Sequence, residues 1–476
     1  MKGTYSYIII LVAAMLATTG CKKWLDVSPK TEIREQLLFS DEQGFKDALI
    51  GTYTLMGGAN IYGTNLTMGV LDGMAQRYNT PAATTHPYYF PARYDYTTTA
   101  SKNFISAIWG GLYTGVANVN NILMQVDEKK QLFREDNYNK IKGEALALRA
   151  FLHFDLLRLY GVAPVVDANR KSIPYVTKFG IKVYPLLTVN EVIDSCLKDL
   201  SDAETLLAND KNVRLDFASD PFLSYTRNHM NYWAVKGLQA RIHLYRGDKV
   251  NALAAAQEVI NNQATYFPFV ASTAVSASTN RDRTFSTEHL FALNVFKLKD
   301  ITDALTKTST VGGLPTLVHT TSNINSLYES TAGGSSDIRY VYLFTPYSTS
   351  SSCTKYWQDD ISTNAEYLKG NLPLIRLSEV FYIAAEAAAT PADGVDYLNA
   401  VRLKRGLVAL ASTISETTLQ TEIQKEYKKE FYAEGQLFYY FKRRNAARVD
   451  GSTVNMTETT YTFPLPEDEI EFGQRF

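Results

Sequence analysis

Cysteine is scarce in this chain. There are three in 476 residues, with no CxxC pair and no Cys/His spacing that would hold a metal. Surplus charge is missing too: 48 Lys and Arg face 49 Asp and Glu, a formal net charge of -1, and the basic residues are scattered. No basic stripe follows a phosphate backbone, so nucleic acid is not an expected partner. The six histidines are dispersed. His153 and His243 fall inside segments of helical periodicity, where packing or hydrogen bonding is the expected role. No nucleophile elbow, HExxH, P-loop or glycine-rich dinucleotide turn occurs. Acidic residues are plentiful, but nothing singles out a pair for glycoside hydrolysis. The chain is therefore read as non-enzymatic, with no catalytic residue, metal or cofactor expected.

The N-terminus is the most informative stretch. Lys2 supplies positive charge, residues 8–17 form an apolar run, and Thr18-Thr19-Gly20-Cys21 follows. The run is too short to span a bilayer, and the pattern reads as a secretory signal over residues 1–20. A cysteine after a small residue here looks like a lipoprotein cleavage site, with Thr18 where the usual pattern prefers Leu. Cys21 is expected to begin the mature chain and carry a lipid, which would hold it at a membrane without a spanning segment. Cys196 falls on an apolar helical face and reads as core. A bond from Cys196 to Cys353 is chemically permitted outside the cytoplasm, but nothing requires it.

Apolar residues recur at helical spacing in several segments. Phe104, Ile108, Leu112, Val116, Val119, Leu123 and Val126 form one stripe. Ile141, Ala145, Leu148, Leu152, Leu156 and Leu159 form the next, ended by Gly161 and Pro164. These two should pair as an antiparallel hairpin. A helix carrying Val192, Cys196, Leu200 and Leu207 and one carrying Val235, Leu238, Ile242 and Tyr245 form a second pair. Gly247 stops that pair, and Asp248 caps a further helix. Leu377 to Ala388 reads as a small-residue helix, Asp393 as the cap of the next, and Ile423 to Phe441 as one long final helix. Glu144 and Arg149 are expected on a polar helix face, and Gly435 inside the final helix.

Repeated hairpins with Ala/Gly-rich contact faces predict a mainly α, TPR-like scaffold with long loop-rich inserts and few short strands. Two regions are predicted after the signal, 21–265 and 266–476. Residues 74–99 and 266–352 are rich in loop-forming residues, with a strand-like run near Leu290. Tyr and Phe are abundant, 31 and 23 against 4 Trp. Tyr offers a flat apolar ring with a polar tip, which suits carbohydrate or peptide surfaces; sugars present C–H faces to such rings and hydroxyls to polar side chains. Asp72, Arg77, Tyr78, Tyr88, Tyr89 and Tyr94 offer that mixture in the first insert. Tyr356 and Trp357 offer it in a second place.

The order of several motifs resembles the SusD/RagB family of outer-membrane nutrient-uptake lipoproteins. Cys21-Lys22-Lys23-Trp24-Leu25-Asp26-Val27 is similar to its post-cleavage opening. Trp109-Gly110-Gly111-Leu112-Tyr113, followed by Asn118, Asn120 and Asn121, resembles its "W…Y…I…N" helix. The run from Glu144 through Arg149 to Tyr160-Gly161 resembles "EA.ALRA..Y..L...YG". Ile375-Arg376-Leu377-Ser378-Glu379, Ala384-Ala385-Glu386-Ala387, Lys429-Glu430 with Glu434-Gly435, and Phe463-Pro464-Leu465-Pro466 resemble its C-terminal motifs. Tyr439 stands where the family carries Asp. The resemblance implies a SusD-like helical fold and a partner TonB-dependent (SusC-like) outer-membrane transporter. It also implies a surface-exposed, lipid-anchored role in capturing oligosaccharide, or alternatively peptide, and closing over the transporter. A lipid-anchored glycoside hydrolase and a TPR-type protein scaffold are the competing readings.

Overall fold

The computed structural model describes residues 37–81, 85–309 and 311–473. The predicted signal at 1–20, the expected anchor at Cys21 and the Cys21-to-Val27 motif lie outside the described residues. Helices begin where polar side chains can accept the free amides of a first turn. Thr98 caps α2 (Thr99–Val126) by accepting from the Ser101 amide. Thr188 and Glu191 form a reciprocal capping box at α4 (Val189–Leu206). Asn231 caps α5 (Tyr232–Arg246), which ends at Gly247 with φ +91, and Asp248 starts α6 (Lys249–Tyr266). α1 (Glu42–Met56) and α3 (Asn137–Tyr160) complete the N-terminal set.

Each helix packs on its successor from α1 to α6. α6 then packs on α9 (Leu377–Ala387), and α9 on α10 (Pro391–Lys404). This is the nearest-neighbour stacking of a helical solenoid. The expected pairing of α2 with α3 is present. Small residues set the spacing: a side chain at Gly115 would put its Cβ 2.9 Å from Leu152 Cδ1, and one at Gly143 would meet Leu207 Cγ at 2.7 Å. One apolar core runs from Phe39 to Phe463, across residue 265. Cys196 is buried in it, and Cys196 and Cys353 are both free thiols.

Three local expectations are corrected. Glu144 and Arg149 are buried, because neighbouring helices cover the face that carries them. They do link helices: Glu144 accepts from the Tyr53 hydroxyl at 2.6 Å, and Arg149 forks onto Asp199 at 2.6 and 2.7 Å. Thr390, not Asp393, caps α10, since its hydroxyl reaches the Asp393 amide. The long final helix is two, α11 (Glu416–Glu430) and α12 (Gln436–Arg443), broken at Ala433 and Gly435 with φ +67 and +70.

The region between α6 and α9 builds two small sheets. β1 (His289–Asn294) pairs antiparallel with β5 (Asn371–Arg376), bearing out the strand expected near Leu290. α7 (Leu298–Thr306) and α8 (Thr321–Leu327) flank β2 (Val318–Thr320). β2 pairs with β4 (Ser350–Cys353), which also pairs with β3 (Phe344–Tyr347). Gly237 of α5 admits the ribbon, with Ile375 and Leu290 side chains each 2.9 Å from where its Cβ would lie. Among the described residues, no helix is long and apolar enough to cross a membrane.

Candidate functional site

The chain break between α11 and α12 organises the site. A five-residue helix, Val70–Met74, delivers Asp72 to it. The Asp72 carboxylate accepts the Ala433 amide at 2.5 Å and the Gly435 amide at 3.0 Å. At Gly435 a Cβ would lie 2.1 Å from the Leu66 carbonyl oxygen, so only glycine fits both the positive φ and the contact. Glu434 is held from the other side by Arg376 at 2.8 Å and Lys355 at 2.7 Å. Burial alone would raise the Glu430 carboxyl, but the Arg405, Arg376 and Arg339 guanidinium groups hold it well below the usual carboxylate range.

Beside this junction lies an open cleft of about 530 Å³. Its first wall is the insert segment from Gln76 to Thr80, together with Arg93. That segment is tied down by the Asn79 amide donating to the Val318 carbonyl at 2.8 Å and the Tyr432 hydroxyl donating to the Arg77 carbonyl at 2.6 Å. A second wall comes from His319 and from Asn323 to Leu327 of α8. Lys428 of α11 and the turn from Asp450 to Val454 close the remaining side. Lys428 pairs with Asp450 at 2.8 Å. Arg77 is buried along most of its length, its Nε 3.2 Å from the Ala75 carbonyl and one terminal nitrogen 3.4 Å from that of Lys428. The exposed Arg93 lies over the Tyr89 ring, 3.7 Å from its centroid. Burial, then the Arg77 charge, push His319 down to about 4, so it is neutral at pH 7.

Of the residues singled out from sequence, Arg77 and Tyr78 line this cleft and Tyr89 stands behind Arg93. Asp72 is fully buried, its oxygens turned to backbone amides. Tyr88 is buried against Gly73, and Tyr94 donates to the Met74 carbonyl at 2.8 Å. These rings pin the insert to the scaffold. Tyr356 is also buried, its hydroxyl 3.0 Å from the Ala433 carbonyl. Trp357 is half-buried and donates to the Thr306 hydroxyl at 2.8 Å, with the Lys307 ammonium over its ring. His319, Asn323, Lys428 and the 450–454 turn were not singled out. The Asp450-Gly451 pair is a turn signal that marks such a loop. The others carry no local signal.

Stacked helical hairpins bearing a loop-built cleft define a helical-repeat scaffold of the kind that displays a binding surface. The chain belongs to the SusD family: residues 219–472 match its family model, and residues 23–244 match one described as starch-binding associating with outer membrane. SusD-like protein P25 of Formosa agariphila is 22% identical over 259 residues, 53% of this chain and 46% of that protein. SusD-like protein P2 of the same organism is 22% identical over 278 residues, 55% of this chain and 47% of that protein. The chain thus spans about half the length of these curated relatives. A SusD superfamily protein from Bacteroides thetaiotaomicron superposes with TM-score 0.70 at 21% identity, covering 91% of this chain and 98% of that one. Surface glycan-binding protein A of Bacteroides thetaiotaomicron, in complex with laminarihexaose, superposes with TM-score 0.67 at 16% identity. It covers 92% of this chain and 98% of that one. These likenesses establish the shared fold.

Proposed function

We propose that this chain is an outer-membrane lipoprotein, anchored through Cys21, that captures an oligosaccharide and delivers it to a partner TonB-dependent transporter without chemistry on the sugar. The observation that carries this reading is the open polar cleft on a SusD-family scaffold. A cleft open on one side admits part of a longer chain, and its amides and guanidinium groups suit sugar hydroxyls. A glycosidase flanks its bond with two carboxyls about 5–9.5 Å apart. Among the described residues lining the cleft, Asp450 is the one carboxylate, and Lys428 holds it. Capture raises the local concentration of ligand at the transporter mouth, and the scaffold closes over it.

Calorimetric titration of the purified chain with a broad panel of oligosaccharides tests the binding step. Saturable binding of at least one glycan, with no shortened products after incubation, is expected. Peptide binding without glycan binding would replace the substrate class, and product formation would replace capture with hydrolysis. Pull-down from outer membranes should recover a large β-barrel transporter; its absence would remove the delivery role.

A further inference from the structure

We propose that the cleft selects acidic oligosaccharides, whose rings carry carboxylate or sulfate groups; this rests on reading the cleft as the glycan site. Charge comes first. Arg77, Arg93 and Lys428 face the cleft against the single carboxylate of Asp450. The Lys428–Asp450 pair cancels itself. The hydrogen bonds of Arg77 and Arg93 go to neutral oxygens: the Ala75 and Lys428 carbonyls for the first, and Thr80 and the Tyr89 carbonyl for the second. Neither has a carboxylate within ion-pairing distance among the described residues. Arg93 therefore stands without a carboxylate partner, and Arg77 has only the buried Asp72 carboxyl nearby to offset it, so positive charge is left for a ligand to neutralise.

Rigidity comes second. Arg77 is clamped by two carbonyls, and its guanidinium lies 5.9 Å from the Tyr432 ring centroid. A pre-ordered fork loses little freedom on binding, and its planar donors match a carboxylate or sulfate edge. The aromatic surface is the third point. Tyr78 and Tyr432 line the cleft but are only 3% and 2% exposed. Arg93 already covers the face of Tyr89. The cleft thus presents charge and the amides of Gln76, Asn79 and Asn323, where a neutral pyranose would need an open ring face.

Titrations of the full chain in detergent test this. The probes are a hexagalacturonate, a sulfated hexasaccharide, laminarihexaose and maltohexaose as neutral controls, and hexaglutamate. At low salt, at least one acidic hexasaccharide should bind about tenfold tighter than either neutral one, and that preference should collapse at about 0.5 M salt. Arg93→Gln, at an exposed position that leaves the core untouched, should weaken acidic binding about tenfold and neutral binding by much less, since a neutral sugar loses a hydrogen bond but no charge pair. Arg77→Lys, which keeps the charge but loses the fork, should lower acidic affinity more than neutral affinity. Neutral sugars binding as tightly as acidic ones, with Arg93→Gln silent, would overturn the acidic selectivity and leave capture standing. No binding of any glycan would overturn the capture reading itself. Hexaglutamate binding tighter than both acidic sugars would move the site from sugar to peptide.

Discussion

Asp72 shows how a single residue changes meaning once its surroundings are known. In sequence it is an acid in a tyrosine-rich insert, chemistry suited to a sugar hydroxyl. In the fold it is sealed, and burial pushes its carboxyl up to about 7, against the pull of Arg77 and two backbone amides. The unfolded chain releases that proton near 3.8. Between those values the folded state holds a proton that the unfolded state has lost, so stability falls as pH rises through the window. Asp72→Asn should therefore lose less stability than wild type between about pH 4 and pH 7, by up to about 4 kcal/mol, in urea melts across that range. Equal slopes would mean that Asp72 is ionised throughout. The same burial takes Tyr88, Tyr94 and Tyr356, candidates in the sequence, into the core. Their rings suit a sugar or a core equally well, and only neighbours choose.

At the scale of elements, helical periodicity located most boundaries, because caps and stop signals are local. Thr188 with Glu191, and Gly247 with Asp248, are legible as written. The break between α11 and α12 was not legible. The apolar stripe continues through it, and the groups that enforce the break come from Asp72 and Leu66, more than 360 residues away. Gly435→Ala meets both a positive φ and the Leu66 carbonyl. It should destabilise the chain by about 2–4 kcal/mol in chemical denaturation. A loss below about 1 kcal/mol would show that the junction relaxes freely. The motif residues Arg376, Glu430 and Glu434 gain a physical reason here. They form the buried ion pairs that hold this junction against β5, where removing one partner costs about 3–5 kcal/mol.

For the whole molecule, the proposed role depends on tethering as much as on the cleft. Cys21→Ser should move the protein from the membrane fraction to the soluble fraction on cell fractionation, without changing the glycan affinity of the purified chain. Retention in the membrane fraction would remove the lipid from the argument. One acyl chain alone gives only marginal membrane binding, so the anchor should carry more than one.

The sequence by itself determined the helical solenoid, the small-residue contacts between its members and the family, because each is written in periodicity, caps and short motifs within a few tens of residues. Only the tertiary structure decided which polar and aromatic groups face solvent together. Arg77, His319, Lys428 and Asp450 meet at one cleft although they span residues 77 to 450. Exposure is a property of what packs on a side chain from elsewhere, and no local pattern records it.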